Sequence, residues 1–499
     1  MILIVFLSNN SVWPQNALEM FLGMVTHTRT PPLDPAADAA ALLRRLGFAI
    51  LMVVLPFASF LSRRSTVVLA PVGVSLLIVS SIIEAPPRGL GRAARSWATY
   101  PAGVAGLLLI VWSGLSALWA PDQGEAFDKL FNILQATLLA LLGVSLLPER
   151  VRASNLYLIS IGIAASALLA LALLSLRPRA ALLGETAVFE RGLTGLAVAL
   201  WPAVAWLESR SRRGVAAALG IATAAAIIAA RLWVPLAGFA AGAAIYALAL
   251  WRPLPGNRAV AWGTAGILLV MPLIAILLSP AATLLLAEGH ALRGAVVAWQ
   301  TLILGDPGSF IVGHGLDTLL PARLDGILPA GAPQGLPFEL WFELGAIGAI
   351  LAAVTLYFVV RGFEGLTRGP AGSGRLVPGL LAAVASAFTL SCLGVGAAFP
   401  WWVTTLAVTV IAFSAIARGQ FRTSRPKARW PAAVTLPIGG RQGRAETDAG
   451  GEDRTDAPAA SDTGTGPDAA HTSVDGDHPP TGKSFVRRKV PTRDDNGTP

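Results

Sequence analysis

Long apolar runs, each bounded by arginine, proline or acidic residues, recur along most of the chain. A helix needs about 20 predominantly apolar residues to cross roughly 30 Å of hydrocarbon, and most of these runs are close to that length. The pattern therefore predicts an all-α fold, a polytopic bundle of about twelve transmembrane helices. The predicted spans are residues 46–62, 66–83, 101–119, 130–147, 154–176, 192–208, 214–230, 232–250, 259–279, 337–360, 376–396 and 400–417.

The runs divide the chain into five segments: a leader (1–45), nine spans (46–279), one long loop (280–336), three spans (337–417) and a tail (418–499). The apolar start of the leader has no basic flank, so it is not predicted to be a signal peptide. The tail is rich in Asp, Gly, Pro, Thr and Ala, and such a composition buries too little apolar surface to offset chain entropy. We expect the tail to be disordered.

Basic residues indicate the orientation of the bundle. The connections after the second, fourth, sixth, eighth and tenth predicted spans are all rich in arginine, whereas the connection between the third and fourth carries Asp122, Glu125 and Asp128. Because basic connections remain on the cytoplasmic side, both termini are predicted to be cytoplasmic. The loop at 280–336 then faces outward.

Composition excludes several classes of protein. The chain is 54% hydrophobic and 13% charged, against about a quarter charged in soluble domains, which excludes an ordinary soluble enzyme. Its single cysteine, Cys392, excludes a disulfide framework and a cysteine-based metal site. The net charge of +9 is dispersed in short groups between apolar runs, so it indicates topology and not a nucleic-acid surface.

The long outward loop is the best candidate for a functional site, because the other connections are mostly short. It contains His290 and also His314, which lies between two glycines and is either a turn residue or a base. Glu339 and Glu343 follow at the start of the next span, four residues apart and therefore on one helical face. Metal-ligand spacings, a Walker A loop, a GxSxG elbow and a dinucleotide fingerprint do not occur, so neither a metal nor a cofactor is expected.

Several arginines are predicted on the outward face, where basic residues are not expected. A guanidinium binds phosphate or pyrophosphate through two parallel hydrogen bonds, so these arginines indicate an anionic ligand. The alternative is that they extend to lipid headgroups or pair with Glu185, Glu190 and Glu288. The arginines concerned are Arg177, Arg179, Arg191, Arg231 and Arg293.

Four features occur in a characteristic order. The segment WSGLSALWAP (112–121) precedes an acidic turn and a long apolar run, and Arg231 follows Ala230 at the outer end of a mid-chain span. The long loop opens with Arg293 and Trp299, continues to the Gly-His-Gly turn at 313–315, and closes with ELWFELGAIG (339–348). Together these features, over roughly residues 45–417, resemble the O-antigen ligase family of bacterial inner-membrane glycosyltransferases, which includes O-antigen polymerase-like proteins.

The resemblance implies transfer of a glycan from an undecaprenyl-pyrophosphate carrier to an acceptor hydroxyl at the periplasmic face, in the biosynthesis of lipopolysaccharide or another surface polysaccharide. The acceptor would be a glycan or lipid A core, with membrane lipid as a further partner. Family members use arginines on the pyrophosphate and a histidine near the acceptor, without a metal. We therefore expect Arg191, Arg231 and Arg293 to bind pyrophosphate.

The chain departs from the family at one position. The family's His-Pro-His-Asn motif aligns with Ala332-Pro-Gln-Gly335, so Gln334 replaces the expected histidine, and an amide cannot accept a proton. The candidate catalytic residues are His314, Gln334 and Glu339. Either His314, His290, Glu339 or Asp317 supplies the base, or the acceptor differs, or the chain has lost transferase activity.

Two other interpretations remain open. Twelve spans are also common among transporters, so the chain could be a transporter or flippase of a lipid-linked or anionic solute. The replacement at Gln334 leaves a third interpretation, a non-catalytic relative that acts as a partner in polysaccharide assembly.

Overall fold

The computed structural model describes residues 35–62, 64–84, 99–148, 151–176, 186–287, 290–305, 307–329, 331–367, 373–396 and 399–419. Within these ranges every regular element is a helix. Most of the predicted leader and nearly all of the predicted tail lie outside the described residues, as do Arg177, Arg179, Glu185 and Glu288.

Twelve helices in the described part of the chain are long and apolar enough to cross a membrane, which confirms the predicted all-α multi-pass membrane protein. The first nine are α1 (Pro35–Ala58), α2 (Ser65–Glu84), α3 (Pro101–Ser116), α4 (Gln123–Ser145), α5 (Ala153–Leu176), α6 (Thr186–Ser209), α7 (Arg213–Ala230), α8 (Trp233–Trp251) and α9 (Pro253–Leu285). Three short helices follow, then three more spans. These are α10 (Ala291–Gly305), α11 (Pro307–Val312), α12 (Leu319–Leu324), α13 (Leu336–Thr367), α14 (Val377–Cys392) and α15 (Pro400–Gly419).

Some helices begin well before the predicted apolar runs. Helix α1 starts at Pro35 instead of residue 46, and Arg44, which interrupts the apolar pattern, forms an ion pair with Glu84 at the end of α2. Helix α4 starts at Gln123 instead of residue 130, with Asp122 as its N-cap accepting from Glu125 N. A polar first turn is compatible with a helix when its polar groups are capped or paired. Because the spans were predicted from apolar runs, these polar first turns were not included.

The predicted long loop is largely helical. Helix α9 continues to Leu285, and α10, α11 and α12 occupy most of the interval before α13. These short helices share an apolar core with α9 and α13, in which Trp299 packs edge-on against Phe338 with ring centroids 5.0 Å apart. The interval is therefore a folded cap and not an irregular connection.

Indole N–H groups join the spans where backbone or side-chain acceptors are buried. Pro272 in α9 has no N–H, so the carbonyl of Leu268 lacks its intrahelical donor, and Trp341 Nε1 of α13 donates to that carbonyl at 2.8 Å. Trp201 Nε1 of α6 likewise donates to Ser386 Oγ of α14 at 2.8 Å. Such bonds matter in a bilayer because lipid offers no substitute partner.

Candidate functional site

The site is built around a break in α13. Gly345 has φ and ψ angles of 66° and −165°, which no helix contains, so carbonyls in the preceding turn lose their helical donors. The turn at 313–318, between α11 and α12, supplies replacements. His314 N donates to the carbonyl of Phe342 at 2.9 Å, and Gly315 N donates to that of Glu343 at 3.1 Å.

Helix α3 covers the other side of the break. Trp112 Nε1 donates to the carbonyl of Leu344 at 2.9 Å, and Ser116 Oγ donates to that of Glu343 at 3.3 Å. Trp119 Nε1 donates to the carbonyl of Gly313 at 3.3 Å. The segment 112–121 thus forms hydrogen bonds both with the break in α13 and with the 313–318 turn packed against it.

Glycine is required where these backbones meet. Gly313 has a φ of +88°, and a Cβ atom there would lie 2.2 Å from the carbonyl oxygen of Glu343. Gly345 combines a positive φ with a Cβ position 2.3 Å from the carbonyl oxygen of Ile311. No side chain fits at either position, which accounts for the glycine before His314.

A buried cation lies beside the break. Nζ of Lys129, in α4, is 2.9 Å from Glu339 Oε1, 2.8 Å from Glu343 Oε2 and 3.4 Å from Asp317 Oδ1. The side chains of Lys129, Glu339 and Glu343 are buried, whereas that of Asp317 is 26% exposed. We call these four residues the lysine–carboxylate cluster. A charge in a membrane protein's interior is retained only when it is paired, so the cluster fixes α4, α13 and the 313–318 turn relative to one another.

Part of this cluster is predictable from the sequence. The prediction that Glu339 and Glu343 share one helical face is confirmed by their common contact with Lys129. Lys129 itself was missed, because the fourth span was predicted to begin one residue after it. Two features of the sequence could have indicated it. Lys129 is a lone lysine next to an apolar run, and the two carboxylates in another span need a counter-charge.

The three carboxylates of the cluster are not equivalent. Both oxygens of Glu343 accept from Lys129, at 2.9 and 2.8 Å. Glu339 uses only Oε1, and its buried Oε2 has no hydrogen-bond partner among the described residues. Asp317, with a φ of 61°, extends the cluster toward the surface. The formal charge is one cation against three carboxylates.

His314 is held in a defined orientation next to the cluster. Its ring stacks on Phe342, with centroids 4.2 Å apart and planes 11° from parallel. Nδ1 lies 3.0 Å from the carbonyl of Phe342, and since a carbonyl only accepts, Nδ1 is the donor. The neutral ring then has Nε2 as its acceptor nitrogen, the arrangement of a general base. His290 is placed differently, because its Nδ1 accepts from Leu292 N at the start of α10.

Gln334 lies at the entrance to α13. Its side chain is exposed, and a Cβ atom on Gly394 would be 3.8 Å from the Gln334 Cβ. The next residue, Gly335, is pressed against the carbonyl of Cys392. Gln334, Glu339 and His314 therefore lie at the same end of the bundle, around the start of α13.

A cleft at this end contains the first of the predicted arginines. The cleft is lined mainly by apolar side chains of α1, α5, α6 and α15, together with the hydroxyl groups of Ser59, Ser62, Thr66, Thr405 and Thr409. Arg191 lines the cleft, with its guanidinium carbon 5.6 Å from the centroid of the Trp401 ring. Trp401 lines it too, and its buried Nε1 has no hydrogen-bond acceptor among the described residues.

The other two arginines have different surroundings. Arg231 is exposed and ends α7 in the left-handed conformation, with a φ of 56°. Arg293, in α10, donates from Nη1 to the carbonyl of Leu286 at 3.1 Å. The three predicted pyrophosphate ligands thus lie on three elements, and the cleft is lined by Arg191 alone of the three.

The cleft and the cluster are neighbours. Phe399 stacks against Trp401 at a centroid distance of 6.5 Å. A Cβ on Gly396 would lie 3.6 Å from Phe399 and 3.8 Å from Glu339 Oε2. A short series of contacts thus leads from the carboxylate oxygen without a partner to the guanidinium of Arg191.

In the described ranges no group of three or more His, Cys, Asp or Glu side chains is arranged to hold a metal ion. The site therefore offers three kinds of chemistry: a fixed cation beside apolar space, an oriented imidazole, and carboxylates held by a lysine. No family model matches this chain, and no curated protein matches it significantly.

Proposed function

We propose that the protein is a membrane glycosyltransferase of the O-antigen ligase or polymerase type. It would transfer a glycan from an undecaprenyl-pyrophosphate carrier to an acceptor hydroxyl in the biosynthesis of a cell-surface polysaccharide. The observation that carries the proposal is the largely apolar cleft with Arg191 and the Trp401 ring on its wall.

The cleft matches the two parts of such a donor. A polyprenyl chain is purely apolar and needs a lining such as that of α1, α5, α6 and α15. A pyrophosphate needs a fixed donor, which the Arg191 guanidinium can provide. In surroundings of low dielectric constant this guanidinium would stabilise the charge that develops on the leaving pyrophosphate.

The second half of the reaction needs a proton acceptor for the attacking hydroxyl. His314, with Nε2 as acceptor, and the carboxylates of Asp317 and Glu339 are the groups of suitable chemistry at this end of the bundle. Gln334 would orient the hydroxyl without accepting its proton. No step in this scheme requires a metal or a cofactor.

The proposal includes a location. Given the basic connections, we infer that the chain lies in the bacterial inner membrane with both termini in the cytoplasm, so that the cleft opens toward the periplasm. The lipid carrier could then reach Arg191 from the outer leaflet.

The test uses a strain that lacks this chain and is complemented with variants at matched membrane levels. Wild type should restore the long surface polysaccharide, and Arg191→Ala should not. Arg152→Ala is the control, since its side chain is exposed and it lies just before α5, at the opposite end of the bundle. Purified protein should also transfer glycan from the lipid carrier in liposomes, and absence of transfer by wild type in both assays would refute the proposal.

A second candidate is favoured by the lysine–carboxylate cluster. Paired ionisable groups inside a span are typical of transporters, where they carry protons or coupling ions. A flippase of a lipid-linked or anionic solute would move labelled lipid between leaflets of a liposome and leave its glycan unchanged. Glycan transfer without such movement would instead favour the transferase.

A further inference from the structure

The end of α9 and helix α10 form an antiparallel hairpin. At its tip Arg293 Nη1 donates to the carbonyl of Leu286, and about two turns further along α10 the amide of Gln300 donates to Ser279 Oγ. Further along the chain Phe310 of α11 stacks on Trp341, whose indole N–H binds the carbonyl of Leu268. Residues that lie later in the chain, in α10 and α11, therefore lie level with residues that come earlier in α9.

These pairings show how far the hairpin reaches. Trp341 lies five residues inside α13, which begins at Leu336, and it is level with Leu268. Because α9 and α13 run in opposite directions, the start of α13 is level with about residue 273 of α9. The remaining turns of α9, up to Leu285, extend about 18 Å further at 1.5 Å per residue. We call residues 273–285 and 291–305 the outer arm.

The outer arm is apolar where it faces away from the protein. Its exposed aliphatic side chains, with the exposed fraction of each, are Leu273 (55%), Ile274 (38%), Ile276 (44%), Leu277 (69%), Leu278 (53%), Leu284 (83%), Leu285 (81%), Leu292 (62%) and Leu304 (75%). A monomeric protein in water does not leave such a surface uncovered.

We propose that the outer arm is embedded in the acyl chains of the bilayer and is not a loop in the aqueous phase. The first argument is continuity: the exposed apolar side chains of α9 begin near Trp262 and Ile267 in the span and continue into the arm. Residues 259–287 contain no charged residue. A membrane–water boundary is usually marked by charged residues, tryptophan or tyrosine, and the exposed surface of α9 has no such break at residue 273.

Composition favours lipid over a protein partner. The large exposed side chains of the arm are leucine and isoleucine, with the smaller Pro280, Ala281, Thr283 and Thr301 exposed beside them, whereas protein interfaces are enriched in tyrosine, tryptophan and arginine. The length of α9 explains how the arm reaches lipid. A straight helix of 33 residues would be about 50 Å long, well beyond roughly 30 Å of hydrocarbon. Pro272 and Pro280 lie inside the helix, and prolines at these positions allow a bend that would lay the outer turns into the leaflet.

Site-directed fluorescence quenching tests this proposal. Cys392, the single cysteine, is replaced by alanine, and single cysteines are introduced by Leu277→Cys and Leu284→Cys. Ile221→Cys, at a 69% exposed position within α7, serves as the lipid-facing reference. Asp325→Cys, at an exposed position after α12, serves as the aqueous reference. Each variant is labelled with bimane and reconstituted into vesicles of phosphatidylglycerol and phosphatidylethanolamine, with or without nitroxide-labelled lipid.

The expected result is that the labels at Leu277 and Leu284 lose most of their fluorescence with nitroxide lipid and little with aqueous iodide, as at Ile221. The Asp325 label should behave in the opposite way. Iodide quenching at Leu277 and Leu284 equal to that at Asp325 would overturn the proposal. Protection from both quenchers, with cysteine cross-links between copies, would also overturn it and assign the arm to a second copy. These readouts do not depend on glycan transfer, so the proposed function can fail without affecting the outcome.

Discussion

The lysine–carboxylate cluster and the Arg191 cleft lie side by side, yet they hold their cations in opposite ways. The ammonium of Lys129 is enclosed by carboxylates, and the backbone around it is closely packed. Arg191 faces an aromatic ring and open apolar space. A cation with its charge already compensated fixes structure, whereas a cation beside free space can accept an anionic ligand. Under the proposed transferase function, the difference predicts that the first region mainly stabilises the fold and that the second binds the donor.

The strongest test of this contrast is Lys129→Met. It leaves buried carboxylates without their cation, so we expect the free energy of unfolding to fall by about 3 to 5 kcal/mol. Denaturant unfolding in detergent micelles measures the change. The triple variant Lys129→Met, Glu339→Gln, Glu343→Gln removes the three buried charges together, keeps the partly exposed Asp317, and should recover most of the loss. Unchanged stability of the single variant would contradict a structural role for the cluster.

A second test compares one glycine from each region. Gly313→Ala places a methyl group 2.2 Å from the Glu343 carbonyl oxygen at a φ of +88°, and strain plus overpacking should cost about 2 to 4 kcal/mol. Gly195→Ala, in the cleft, meets only Thr405 Cγ2 at 3.7 Å and should stabilise α6 by up to about 1 kcal/mol. Equal melting temperatures of the two variants would argue against a closely packed cluster.

A third, smaller effect is expected outside both regions. Trp341→Phe keeps an aromatic ring against Phe310 but removes the donor to the Leu268 carbonyl. Loss of one buried hydrogen bond should cost about 1 to 2 kcal/mol. Trp262→Phe is a matched control, because Trp262 is 64% exposed. If both variants unfold at the same denaturant concentration, the indole bond contributes nothing.

The smallest stability effect is expected at Arg191. Its contact with the Trp401 ring contributes about 0.5 to 1 kcal/mol, so Arg191→Ala should remain folded while losing glycan transfer. Thermal unfolding followed beside the transfer assay separates the two properties. A loss of stability comparable to that of Lys129→Met would remove the distinction between the regions.

The sequence allowed the twelve spans to be predicted because each requires a long apolar run, and the bilayer enforces that pattern strictly. It also placed Glu339 and Glu343 on one face. It did not reveal their partner, since pairing of Lys129 with residues more than two hundred positions away depends on tertiary packing. The cap was predicted as a loop because its helices are short and interrupted by glycine, proline and charged residues. The kink at Gly345 could not be predicted, because nothing in the sequence around this residue distinguishes it from a glycine in a regular helix.

The bond between Trp341 and Leu268 has a consequence for biosynthesis. The two residues are 73 positions apart, and at a ribosomal rate of about 5 to 20 residues per second this separation takes about 4 to 15 s to synthesise. During that interval the Leu268 carbonyl has neither its intrahelical donor, which Pro272 removes, nor the Trp341 indole, so we expect α9 to remain in the insertion machinery until α13 arrives. Helices α9 and α13 should therefore leave the translocon together, with the intervening cap folding between them.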